Sequence, residues 1–155
     1  MNIAEKITKI YLSDEEWWHR YKLSYKDSVN YHRGMIAKGN IIYRTDSRET
    51  LIAYCEFLRI NYEQWGRMVC DAKFYSYDEN TTDGNICVVL NLWIDKNSRN
   101  TFVMKDLMNS FFKINGHCDY FVGHATAKKR NFVKVYDKKK FNKYIKNNDL
   151  SMVNI

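Results

Sequence analysis

Proline is missing altogether from the 155 residues, and glycine occurs only six times. The shortage of glycine matters for chemistry, because loops that cradle phosphates against the backbone are built from it. Neither a Walker run nor a dinucleotide-type glycine pattern can be traced. Long apolar runs are also absent. The longest, "ICVVLNLWI", is broken by Asn91 and stops at Asp95, well short of the roughly 18 residues a membrane helix needs. No C-x-x-C pair is present, and Cys55, Cys70, Cys87 and Cys118 are scattered among mostly apolar neighbours, so they read as buried thiols rather than a disulfide framework. Gly-x-Ser-x-Gly and Cys-His-Asn arrangements are lacking too. His117, Cys118 and His124 lie close in sequence but without the spacing of metal ligands.

What is present is a folding composition. Hydrophobic residues make up 45% of the chain and aromatic residues 15%, which sets it apart from disordered chains. Its length suits one domain with a sizeable core. The opening "MNIAEKITKI" alternates charge with apolar residues and carries no signal-peptide core, so no membrane association is expected and a cytoplasmic location is. Abundant Asn, Lys, Ile and Tyr beside the missing proline suggest an AT-rich source such as a low-GC bacterium or its phage, in which case the protein could travel in a virion. The net charge of +7 is concentrated late. Lys128, Lys129, Arg130, Lys134, Lys138, Lys139, Lys140, Lys143 and Lys146 face a single acid, Asp137, and Phe132, Tyr136, Phe141 and Tyr144 are interleaved with them. The segment reads either as a nucleic-acid-binding stretch, lysines on phosphate and aromatics on bases, or as a basic amphipathic element.

Ser13 and Glu16 have capping-box spacing and predict a helix starting there, with Trp18, Tyr21, Tyr25, Val29 and His32 on its buried face and Gly34 and Gly39 at its exit. "NIIYR" and "TLIAYCEFLRI" predict a hairpin across "TDSRE", the second strand apolar on both faces and therefore central. "DENTTDG" reads as a surface loop. "NICVVLNLWID" predicts a buried strand, followed by a polar turn and a helix to about Lys113 with Val103, Met104, Leu107, Met108 and Phe111 as its apolar stripe and Gly116 as a candidate C-cap. "HCDYFVGHA" is a further strand, and the basic segment that follows is a helix or a strand. The order is that of a mixed α/β single domain spanning 1–155: an N-terminal helical segment at 1–39, a core at 40–146 and a tail at 147–155.

In that order, "LWIDKNSRNTFVMKDLM" resembles the GCN5-related N-acetyltransferase (GNAT) superfamily, in which a central strand feeds an Arg/Gln-x-x-Gly-x-Gly/Ala turn opening a helix. Arg99 matches the first position, and Phe102 and Met104 stand where the glycines would be. "YDKKKF" resembles the family's late Tyr-x-x-x-Gly-Phe motif, with Lys140 replacing the glycine. The resemblance implies a GNAT-like α/β domain with a central, mostly antiparallel mixed sheet flanked by helices, plus an extra N-terminal helix. It implies acetyl-CoA as donor, held by Leu92, Ile94, Arg99, Asn100, Thr101, Phe102, Val103 and Met104, with an amine or a protein as the other partner and no metal. Tyr136 is the acid by the same resemblance. The base comes from the residues themselves: Glu56, alone in an apolar strand, is expected to have a raised pKa. Asn91, breaking the next strand, marks a ligand contact or a bulge. With both glycines replaced, the domain is expected to be weakly active or silent, or to serve in interaction or assembly.

Overall fold

The computed structural model describes residues 1–13, 24–65, 84–99, 101–127 and 130–137, with side chains as far as Val122. The chain begins with a helix, α1, Ile3–Ser13. Asn2 and Glu5 form its capping box: the Glu5 amide donates to Asn2 Oδ1 at 2.9 Å and the Asn2 amide to Glu5 Oε2 at 2.8 Å. Ala4, Ile7, Thr8 and Tyr11 are its buried face. Ser13 is the last residue of α1, its hydroxyl donating back to the Ile10 carbonyl at 2.6 Å, and residues 14–23, where the expected helix would begin, lie outside the described residues. The second helix, α2, is Tyr25–Ala37, with Ser24 as the N-cap accepting from the Asp27 amide. Val29 and His32 lie on its buried face as expected, but Tyr25, first after the cap, is 46% exposed. Trp18, Tyr21 and Glu16 lie outside the described residues. Gly34 is inside α2; the exit is made at Gly39, whose φ of 72° only glycine adopts without strain.

Five strands follow: β1 Ile41–Thr45, β2 Leu51–Ile60, β3 Ile86–Ile94, β4 Tyr120–Ala127 and β5 Arg130–Asp137, ordered β1-β2-β3-β4-β5 in one sheet. The basic segment thus continues as a strand as far as Asp137. The β1–β2 hairpin turns at Asp46, whose carboxylate accepts from the amides of Arg48 and Thr50 at 2.8 and 2.9 Å. All pairs are antiparallel except β3 with β4, which are parallel and joined by a turn of 3-10 helix, Lys96–Ser98, and α3, Val103–Ile114. A parallel pair needs such a crossover. The fold class expected from the sequence, a mixed, mostly antiparallel sheet flanked by helices, is the one observed.

Each face of the sheet has its own core. Tyr54, Leu58 and Ile60 of β2 pack with Ile7 and Met35 under α1 and α2, while Ala53, Cys55 and Phe57 pack with Leu107, Met108 and Phe111 of α3. β2 is therefore apolar on both sides and central, as its continuous apolar run predicts. At the end of α3 the cap is Asn115, not Gly116: the Asn115 amide and Nδ2 both donate to the Phe111 carbonyl at 3.0 Å, and Arg59 Nη1 donates to its Oδ1 at 3.1 Å. A buried side chain with two hydrogen bonds, beside that of its own amide, does the work for which a left-handed glycine is the usual device.

One glycine is required by close approach. A Cβ built on Gly84 would stand 1.8 Å from the Ile60 carbonyl oxygen, where β3 enters beside the end of β2. Backbone cannot yield that distance without parting the strands. Gly84→Ala is expected to destabilise the fold by about 3 kcal/mol, read as a lower urea midpoint with unchanged slope.

Candidate functional site

The register between β2 and β3 shifts once. Glu56 pairs with Asn91 and Phe57 with Val89, so Leu90 is an extra residue, a β-bulge. The bulge switches the faces of β3. Before it, Val88 shares the α1/α2 core; after it, Trp93 does so, stacked on Tyr54 with centroids 6.1 Å apart, while Leu92 is 39% exposed. Asn91, of the two roles open to it in the sequence, lies at the bulge, and its Nδ2 donates to the Tyr54 hydroxyl at 2.6 Å.

The same shift brings Asn91 opposite Glu56, which is 2% exposed. The Tyr31 hydroxyl on α2 donates to Glu56 Oε1. Burial raises the Glu56 pKa from 4.5 to about 7, and the hydrogen bond from Tyr31 opposes the rise. Tyr31 was not legible as a partner, because helical spacing marks it only as a neighbour of the apolar stripe. Beside it, His32 accepts or donates through Nδ1 to Thr8 Oγ1 at 2.7 Å and meets the ring of Tyr11 edge-on at 5.2 Å. Burial lowers the His32 pKa to about 4, against a smaller raising contribution from the Ser28 backbone.

The bulge also ends the β3–β4 ladder. Pairing runs from Ile86 with Tyr120 to Val89 with Gly123 and no further, although β3 continues to Ile94. The strands part at their C-terminal ends, next to the turn that carries Arg99. In that turn four backbone donors have acceptors within it. The Asn97 amide donates to Asp95 Oδ2 at 3.0 Å, that of Ser98 to the Asp95 carbonyl at 2.9 Å, that of Thr101 to the Ser98 carbonyl at 3.2 Å and that of Val103 to Thr101 Oγ1 at 3.3 Å. The exposed Arg99 turns back, Nε 3.4 Å from the Ile94 carbonyl. Phe102 stands in solvent at the mouth of α3, 79% exposed, with Lys105 Nζ 5.7 Å from its ring centre. Met104 and Val103 pack half-buried on the α3-side core with Ile94. A diphosphate cradle needs convergent unused N–H groups and room to approach them. In this turn four amides end on its own acceptors, those of Thr101 and Val103 among the residues 99–104 that the resemblance assigns to the cofactor.

Of the remaining predicted groups, Tyr136 lies in β5, paired with Phe121 along the backbone, and its side chain is outside those described. Asn100, Lys128, Lys129, Lys138, Lys139 and Lys140 lie outside the described residues. Cys55, Cys87 and Cys118 are buried, and none of the three is in a disulfide. The Cys87 thiol is pushed up first by its hydrogen bond with Cys118 and then by burial, and that of Cys55 by burial and the neighbouring Glu56; neither is a nucleophile. Among the described residues no three His, Cys, Asp or Glu side chains are grouped to hold a metal ion, and no helix is long and apolar enough to cross a membrane.

No family model and no curated protein matches the chain. Solved structures do. An uncharacterized protein from Bacillus halodurans is similar with a TM-score of 0.54 at 8% identity, over 97% of this chain and 88% of that one. The PaiA N-acetyltransferase from Thermoplasma acidophilum, solved in complex with coenzyme A, is similar with a TM-score of 0.46 at 16% identity, over 94% of this chain and 77% of that one. The first likeness shows a shared fold.

Glu56 and His32 generate opposite pH dependences. Glu56 binds its proton more tightly folded than unfolded, so its contribution is full below pH 4.5 and is lost as pH rises towards about 7. His32 binds its proton less tightly folded, so its contribution is full above pH 6.5 and is lost as pH falls towards about 4. Each amounts to roughly 3 kcal/mol across its window, and between pH 4.5 and 6.5 the slopes oppose. Chemical denaturation of wild type should give a nearly level profile there. Glu56→Gln should lose stability on acidification, and His32→Gln on alkalinisation; parallel profiles for the two variants would contradict this assignment.

Proposed function

We propose that this chain is a GNAT-like domain that is catalytically silent towards acetyl-CoA and works by binding a protein partner. The observation that carries the reading is the internal use of the amides of Asn97, Ser98, Thr101 and Val103. An N–H group that already has a protein acceptor offers a phosphate oxygen only an exchange, and its net gain is small. The strand, polar turn, helix and parallel strand from Ile86 to Ala127 keep the order of the acetyltransferase pattern, while the turn lacks the chemistry for which that order is used. Folds persist when the sites grafted on them do not.

A second reading rests on Glu56. A carboxyl that titrates near pH 7 can take a proton from an amine, and Tyr136 would act as acid by resemblance. Against it, Glu56 is sealed under α2 and engaged by Tyr31, so the same residues serve as a strut between helix and sheet.

Calorimetry with acetyl-CoA separates the two. No saturable heat at millimolar ligand is expected, and micromolar binding would overturn the silent reading. Phe102→Gly combined with Met104→Gly is expected not to restore binding, since the bulk it removes is already in solvent or on the core while the occupied amides stay occupied. The pair should cost about 1 kcal/mol per position in helix stability, seen as a lower thermal midpoint.

A further inference from the structure

We propose that the open edge of β3 at Leu92–Ile94 is a docking site for an extended acidic peptide segment of a partner protein, which adds to the sheet as a strand. This names the partner class of the silent reading and rests on it.

The backbone geometry defines the edge. The Asp95 amide donates across to the Ile52 carbonyl of β2 at 2.8 Å. Because backbone groups alternate sides along a strand, Trp93 and Asn91 also face β2, whereas Leu92 and Ile94 face the side where β4 has already departed. Among the described residues no strand accepts or donates there; the Ile94 carbonyl meets only Arg99. Unpaired edges are normally guarded by lysine, proline or short length. The run Leu90-Asn91-Leu92-Trp93-Ile94 has no charged residue and no proline. The bulge at Leu90 keeps β4 away, and nothing in the run itself keeps a further strand away.

Charge and apolar surface choose the occupant. Lys96 and Arg99 are exposed immediately beyond the edge, and Arg99 sits against its last carbonyl. Of the two nearby carboxylates, Asp106 is paired with Arg44, and Asp95, hydrogen-bonded to the neutral Asn97 amide, keeps its charge. Lys96 and Arg99 outweigh it, so the local balance at this end is net positive. Leu92 and Phe102 offer exposed apolar contacts beside it. Strand addition draws affinity from main-chain hydrogen bonds and specificity from alternate side chains, so the fitting segment alternates apolar residues with glutamate or aspartate.

The test uses the full chain and amide-resolved NMR. In the free protein the amides of Leu92 and Ile94 should exchange rapidly with solvent, and those of Asn91 and Trp93 slowly. A synthetic peptide alternating valine with glutamate should shift Leu92 and Ile94 and slow their exchange. Its lysine counterpart should not, and a peptide N-methylated on alternate amides should bind at least about tenfold more weakly through loss of its main-chain donors. Leu92→Pro removes one edge donor that β2 does not use and should abolish binding; Lys96→Glu with Arg99→Glu, which leaves the strand intact, should weaken it about tenfold at low salt and less at high salt. Slow exchange at Leu92 and Ile94 in the free protein would show the edge covered by this chain or by a second copy, and overturn the proposal. So would equal binding of the lysine peptide, or no shift with any peptide. Acetyl-CoA titrated in the same samples keeps the readings apart: shifts centred on residues 99–104 would defeat the silent reading, whereas its absence together with absent peptide shifts defeats only the docking site.

Discussion

One extra residue in β3 organises the functional end of this protein. Leu90 has no counterpart on β2, so the side chains after it exchange faces. Without the bulge, Asn91 and Trp93 would point into the α3 core and Leu92 into the α1/α2 core. With it, an amide and an indole lie beside Tyr54 and opposite Glu56, and the leucine goes to the surface. The same extra residue coincides with the end of the β3–β4 ladder. Face exchange and strand separation thus have a common origin, and both the polar cluster and the open edge follow from it.

The polar cluster is costly and is arranged so that its costs oppose one another. Burial shifts a carboxyl towards its neutral form and keeps an imidazole neutral, with Tyr31 touching both: its hydroxyl on Glu56, its ring 5.1 Å from that of His32. α2 is thereby joined to β2 through Glu56 and to α1 through Thr8. His32 Nε2, Ser28 Oγ and Asn40 Oδ1 are buried without a partner among the described residues, so this helical layer carries more unsatisfied polarity than the α3 side, where Asn115 is bonded throughout. Conformational specificity of the helix–sheet packing is the physical role that fits such an arrangement.

The turn after β3 shows how local acceptors decide what a strand–turn–helix unit can offer a ligand. A strand ending beside the start of a crossover helix places donors near a gap whatever the sequence. Whether those donors are available depends on local acceptors, and here Asp95, Ser98 and Thr101 provide them. The exposed Lys96 and Arg99 stand beside these internally bonded amides.

The sequence alone determined the elements whose periodicity is strong: the hairpin across Asp46, the doubly buried β2, the β3–turn–α3 unit and the isolation of Glu56 among apolar neighbours all follow from alternation, apolar runs and turn chemistry. It did not show α1 with its Asn2–Glu5 capping box, and it ran Tyr25, Val29 and His32 on from Ser13 where Ser24 caps a separate start, because spacing cannot say which polar residue begins a helix. It marked Gly116 where Asn115 caps, because a side chain that bonds both Phe111 and Arg59 is a tertiary arrangement. The absence of glycine from residues 99–104 was legible, but the direction of Phe102 into solvent and the acceptors of the Thr101 and Val103 amides were not. Nor was the partnership of Tyr31 with Glu56, since a hydrogen bond across 25 residues depends on how a helix lies on a sheet. Local pattern specifies which elements form; the bulge, the packing angle and the competition among acceptors decide which groups are left available for a partner.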